Sequence, residues 1–124
     1  MHLHRDPQIS DTFVITFPPT WRWDDFRRLA QHLYTELEVT SQRSKILFDM
    51  SYIDRIPVGF LTAMRFFIKD APFDIKQVYV VGKDADINAA YTMIRQVAPD
   101  IGKRFMLFHT MDALYNNTLA IVRV

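Results

Sequence analysis

The sequence predicts an α/β fold, with a mostly parallel sheet of four to five strands alternating with helices. Three observations carry this. Short runs rich in β-branched and aromatic residues recur along the chain. Between them lie segments whose apolar residues repeat at helical spacing. The two patterns alternate strictly, and strands separated by helices imply parallel pairing through right-handed crossovers.

Thr12 to Phe17 reads as the first strand of this series, closed by Pro18 and Pro19. Phe26, Leu29, Ala30, Leu33, Tyr34 and Leu37 then mark one face of a helix. Arg27, Arg28, Gln31, His32 and Glu36 take the other face, and Asp24 and Asp25 suit the positive end. Lys45 to Met50 is a continuous apolar run, the form of a strand buried on both faces. A second helix is expected from Pro57 to about Lys69, because proline fits a first helical turn. Gln77 to Val81 is another buried strand, stopped by Gly82. The third helix is expected along Ile87, Ala90, Tyr91, Ile94, Val97 and Ala98, with Asp84 or Asp86 as its start and Pro99 as its stop. Arg104 to Phe108 reads as a fourth strand, and Thr110 as the N-cap of a short final helix around Met111 to Tyr115. The run from Leu119 to Val124 fits either an edge strand or a longer helix. Residues 1–11 fit a lead-in or an extra edge strand, so residues 12–124 form the expected domain.

The chain has 124 residues, 49% of them hydrophobic and 23% charged, which suits one globular domain. It contains no cysteine, so disulfides, thiolate metal sites and cysteine nucleophiles are excluded. The opening residues Met1 to Gln8 lack the apolar core of a signal peptide, and no apolar run approaches the roughly 20 residues of a membrane span. A cytoplasmic protein without membrane insertion is expected. The formal net charge of +1 gives no field that would favour nucleic acid. Trp21 and Trp23 flank Arg22, yet with that charge the pair is better read as anchoring a loop than as a base-stacking platform.

Catalytic patterns are missing. The three glycines, Gly59, Gly82 and Gly102, form no phosphate-binding loop, and Ser51, Thr62 and Thr110 lack a nucleophile elbow. Neither a cofactor nor a metal site is expected, and His2 and His4 read as solvated terminal residues. Asp49, Asp54 and His109 are the residues a metal-assisted enzyme would use. Capping and turn roles explain the acids more simply.

The segment from Lys45 to Met64 resembles the central part of the STAS domains, the family of the anti-sigma-factor antagonists. There a buried strand ends in aspartate and a small loop, then a spacer leads to Asp-Ser-Ser-Gly-Leu at the start of a helix. Asp49-Met50-Ser51 resembles the strand end, Ile53 and Ile56 the spacer, and Leu61 the leucine. Val78 to Val81 and the stretch from Phe108 to Leu114 are similar to the family's later strand and closing helix, so the likeness covers roughly residues 12–116. It implies a non-catalytic regulatory module that binds a protein partner. The docking surface would be the loop and second-helix start at Ser51, Asp54, Arg55, Pro57, Val58, Gly59 and Thr62. The family's phosphorylated serine falls on Val58, which has no hydroxyl, so the resemblance does not carry the phosphorylation switch.

The ending also looks like the SpoIIAA-like branch related to CRAL-TRIO lipid-exchange domains. That alternative implies a small apolar ligand held by Phe60, Met64, Phe67, Met93 and His109. Finally, Phe60, Phe66 and Phe67 give one helix more aromatic surface than a single face uses, from which a homodimer is expected.

Overall fold

The computed structural model describes residues 1–9, 11–40, 45–54, 58–69, 75, 77–83, 85–97 and 99–122. The elements are β1 (His2–Arg5), β2 (Thr12–Thr16), α1 (Trp23–Thr40), β3 (Lys45–Asp49), α2 (Phe60–Lys69), β4 (Gln77–Val81), α3 (Ala85–Val97), α4 (Pro99–Gly102), β5 (Phe105–Phe108) and α5 (Met111–Val122). The five strands form one sheet in the order β1-β2-β3-β4-β5. β1 pairs antiparallel with β2, with Leu3 opposite Ile15, and every other pairing is parallel. The α/β class and the mostly parallel sheet therefore hold.

The sequential strand order has a consequence for the helices. Each parallel crossover moves one strand in the same direction, and crossovers of one hand then lay their helices on one face. The packing follows: α1 contributes Phe26, Ala30, Leu33 and Leu37, and α2 contributes Phe60, Met64 and Phe67. With Ile87 and Tyr91 of α3 they cover Phe13, Ile15, Ile46, Phe48, Val78, Val80 and Phe105 of the sheet. The opposite face carries Val14, Leu47, Tyr79 and Val81, and α5 covers it through Met111, Leu114 and Tyr115. Alternation along each strand divides these two sets, as the period of two requires.

α5 is capped by Thr110, whose Oγ1 accepts the Ala113 N–H at 3.1 Å. Its Tyr115 hydroxyl donates to the Asp6 carboxylate at 2.7 Å. The other Asp6 oxygen accepts the Gln8 and Ile9 amides at 2.7 and 2.9 Å, which shapes the β1–β2 connection. Asp11 closes that connection with φ 55°, a left-handed conformation that short polar side chains tolerate.

The structure corrects the start of the second helix and decides the alternatives left open at the two ends of the chain. α2 begins at Phe60 instead of Pro57, because Gly59 has φ 83°, outside the helical region, and only its carbonyl joins the helix by accepting the Ala63 N–H at 3.0 Å. Pro57, Ile56, Arg55 and Asp84 lie outside the described residues. Pro99 opens α4 as well as following α3, a position where its missing N–H costs nothing. The C-terminal apolar run continues α5 as far as Val122, and His2–Arg5 form an edge strand.

Two stability predictions follow. A Cβ on Gly102 would lie 2.5 Å from the Cα of Arg95, so Gly102→Ala must separate α4 from α3 and is expected to cost about 1–3 kcal/mol in urea denaturation. Burial first, then the hydrogen bond to Asp6 and the charges of Asp6 and Asp49, push the Tyr115 phenol up to about 12. The native state thus keeps this proton while the unfolded chain loses it near pH 10, so its contribution is complete below pH 10 and declines between pH 10 and about 12. Tyr115→Phe should lower stability by about 1 kcal/mol at neutral pH and flatten that alkaline decline. A residual slope should remain from buried Tyr91, whose phenol burial also raises. An alkaline profile identical to the wild type would contradict this.

Candidate functional site

In open α/β sheets the loops beyond the carboxyl ends of the strands are where ligands and partners collect. Here those loops are stitched together by backbone bonds that prolong the sheet: Phe17 N–H to Asp49 O at 3.0 Å, Met50 N–H to Val81 O at 2.8 Å and Gly82 N–H to Phe108 O at 3.0 Å. The loop after β3 is also tied to the loop after β2, since the Asp54 N–H donates to Pro19 O at 3.1 Å. Asp49 turns the chain at the end of β3. Its Oδ1 accepts both the Ser51 amide, at 3.2 Å, and the Ser51 hydroxyl, at 2.6 Å. The Ser51 hydroxyl is therefore engaged in a local turn.

Of the residues expected at the docking surface, the five among the described residues lie where they can be reached. Ser51, Asp54, Gly59 and Thr62 are exposed, and Val58 is 96% exposed. Tyr52, which the sequence reading did not single out, is 62% exposed on the same loop. Two large apolar side chains thus stand in water on the connection between β3 and α2. The Trp23 indole N–H donates to the Val58 carbonyl at 3.0 Å and so joins this connection to the first turn of α1. Trp21 packs edge-on against Phe17 and Trp23, with ring centroids 4.9 Å away in each case. The tryptophan pair is half-buried and anchors the loop, as its composition suggested.

The residues of the ligand-carrier alternative do not share one place. Phe60, Met64 and Phe67 are buried in the core beneath α2, whereas Met93 on α3 and His109 after β5 are exposed. Because Phe60 and Phe67 are consumed by the chain's own core, the aromatic surplus behind the expected homodimer reduces to Phe66, which is 57% exposed. Among the described residues no three of His, Cys, Asp and Glu gather as they would around a metal ion, Asp49, Asp54 and His109 included.

A groove of about 630 Å³ runs along the outer seam of α1 and α2. From α1 it takes Trp23, Phe26, Ala30 and Tyr34, with Arg27 and Gln31 at the rim. From α2 come Thr62, Ala63, Phe66 and Phe67, and Gly59 closes the end beside Val58. Helical spacing put Phe26, Arg27, Ala30, Gln31 and Tyr34 on the faces of one helix, but it recorded no hollow. Ala30 and Ala63 could have signalled it, being small residues placed among large aromatic ones. The Tyr34 hydroxyl donates to the Phe67 carbonyl at 2.6 Å and pins the two helices together at the far end. No helix among the described residues is long and apolar enough to cross a membrane.

Compared with the known protein families, with curated proteins and with solved structures, the chain matches none.

The Trp23–Val58 bond fixes the docking connection to α1. Trp23→Phe keeps the apolar contacts and removes the donor. It should leave the fold intact with a loss of about 0.5–1.5 kcal/mol and speed amide exchange at Asp54 and Ala63, whose N–H groups donate to Pro19 O and Gly59 O, by severalfold. Unchanged exchange at those amides would show that the bond does not restrain the loop.

Proposed function

We propose that this protein is a non-catalytic, cytoplasmic regulatory module of STAS-like architecture. It docks a protein partner on the connection between β3 and α2. The observation that carries the reading is Val58. In the STAS domains that this segment resembles, the corresponding position bears the phosphorylated serine at the start of a helix. Here it holds an apolar side chain at 96% exposure, two residues before α2. A partner that buries this side chain gains roughly 1–2 kcal/mol of apolar transfer. Tyr52 adds a second contact of the kind enriched in interface hot spots.

Three further features support the reading. β3 ends in Asp49 and α2 opens at Phe60, with Ser51, Tyr52, Asp54, Val58 and Gly59 exposed between them, in keeping with what the STAS resemblance implies. The loop is braced from below by Pro19 O and from the side by Trp23, so it presents its side chains without a large ordering cost on binding. The Ser51 hydroxyl on the same connection is held by Asp49 as part of a turn. With no hydroxyl at position 58, association is governed by contact alone and not by phosphorylation at that site.

The test is a comparative capture from native lysate with the wild type, Val58→Asp and Tyr52→Ala. The substituted side chains are exposed, so circular dichroism and melting temperature should stay unchanged. The expected result is a stoichiometric protein partner retained by the wild type and lost by Val58→Asp, with weaker retention by Tyr52→Ala. Recovery of the same proteins by all three chains would remove this surface from consideration.

A further inference from the structure

We propose that the groove between α1 and α2 is a binding site for a small aromatic anion, a carboxylate or sulfonate on a flat apolar body. The body lies along the two helices and the acid group meets Arg27. This goes beyond the docking role of the β3–α2 connection and does not depend on it.

The hollow has a specific cause. Ala30 and Ala63 face the seam with one carbon each, and Gly59 ends it with none, while Trp23, Tyr34 and Phe66 stand around them as walls. Small residues beneath large ones leave space that the chain does not fill. At about 630 Å³ that space falls within the range of small-molecule sites, which are apolar and aromatic with a few polar groups that set orientation. Five of the eleven lining residues are aromatic, a lining suited to offset and edge contacts with a flat ring system.

The polar groups give the charge. Arg27 is the one charged residue that lines the groove among the described residues, and none of the lining residues is acidic. Its Nη2 meets Asp24 at 2.7 Å, but both side chains are about 70% exposed, so that pair is weak and leaves most of the five guanidinium donors available. A planar carboxylate or sulfonate matches this fork. The indole N–H of Trp23 and the hydroxyl of Tyr34 are both engaged by carbonyls, so the walls offer rings and the acid group is left to Arg27. Gln31 and Thr62 complete the polar rim.

The experiment compares two fluorescent probes of similar skeleton, the anion anilinonaphthalene sulfonate and the neutral phenyl-naphthylamine. Each is titrated against the full chain with competition by naphthoate. The expected result is saturable binding of one sulfonate probe per chain, about tenfold tighter than the neutral probe, displaced by naphthoate. Arg27→Gln should abolish the preference for the anion and leave the neutral probe unchanged, whereas Phe66→Ala should weaken both. Both substitutions lie at exposed side chains, and an unchanged melting temperature establishes that the fold is retained. Unsaturable binding, equal affinity of the two probes for the wild type, or an anion preference that survives Arg27→Gln would overturn the proposal. So would a dimer in light scattering that Phe66→Ala dissolves, because a second copy would then fill the groove.

Discussion

Phe48 is the side chain on which the rest of the structure leans. It has no exposed surface and packs against Phe17, Phe26 and Phe67 with ring centroids 5.7, 6.1 and 5.4 Å away. Those four rings come from the strand β3, the residue that follows β2, and the helices α1 and α2. One cluster therefore sets the height of both helices above the sheet. Edge and tilted contacts between rings prefer particular offsets, which makes such a cluster more specific than an equal area of aliphatic packing. Truncating its centre to alanine belongs to the class of core changes that cost about 3–5 kcal/mol.

The same cluster explains why a groove exists on the other side of the helices. Phe26 and Phe67 reach down to the sheet and floor the groove, Trp23, Tyr34 and Phe66 wall it, and the seam between them is left to Ala30 and Ala63. Tyr34 at one end and Trp23 at the other bridge the seam by hydrogen bonds to main-chain carbonyls of the α2 segment, so the helices cannot close over the space. Trp23 also reaches the carbonyl of Val58, which makes the groove and the exposed β3–α2 turn neighbours on one rigid support.

Sequential winding has a cost on the other face. With α1, α2 and α3 all on one side, α5 must shelter Val14, Leu47, Tyr79 and Val81. The Tyr115–Asp6 hydrogen bond joins this last helix to the β1–β2 connection at the opposite end of the chain. The antiparallel edge strand and the C-terminal helix thus depend on one another through a single carboxylate, which also forms the turn that β1 needs.

Much of this was legible from residue order alone. The β-branched runs became β2, β3 and β4, the helical spacing from Phe26 to Leu37 became the buried face of α1, and Thr110 caps the helix it precedes. Local chemistry determines such features, because strand and helix periods and capping groups act within a few residues. The sequence also placed an apolar residue where the resembled family has a serine. Only the tertiary structure decided that Val58 stands in solvent, that Gly59 delays α2 until Phe60, and that Phe60 and Met64 fill the core while Phe67 both packs in it and floors the groove. It alone brought Trp23 to Val58, Tyr34 to Phe67 and Tyr115 to Asp6, pairs 33 to 109 residues apart. Contacts at such separations depend on how the crossovers stack their helices on the sheet, and no local pattern records which small residues will meet across a seam.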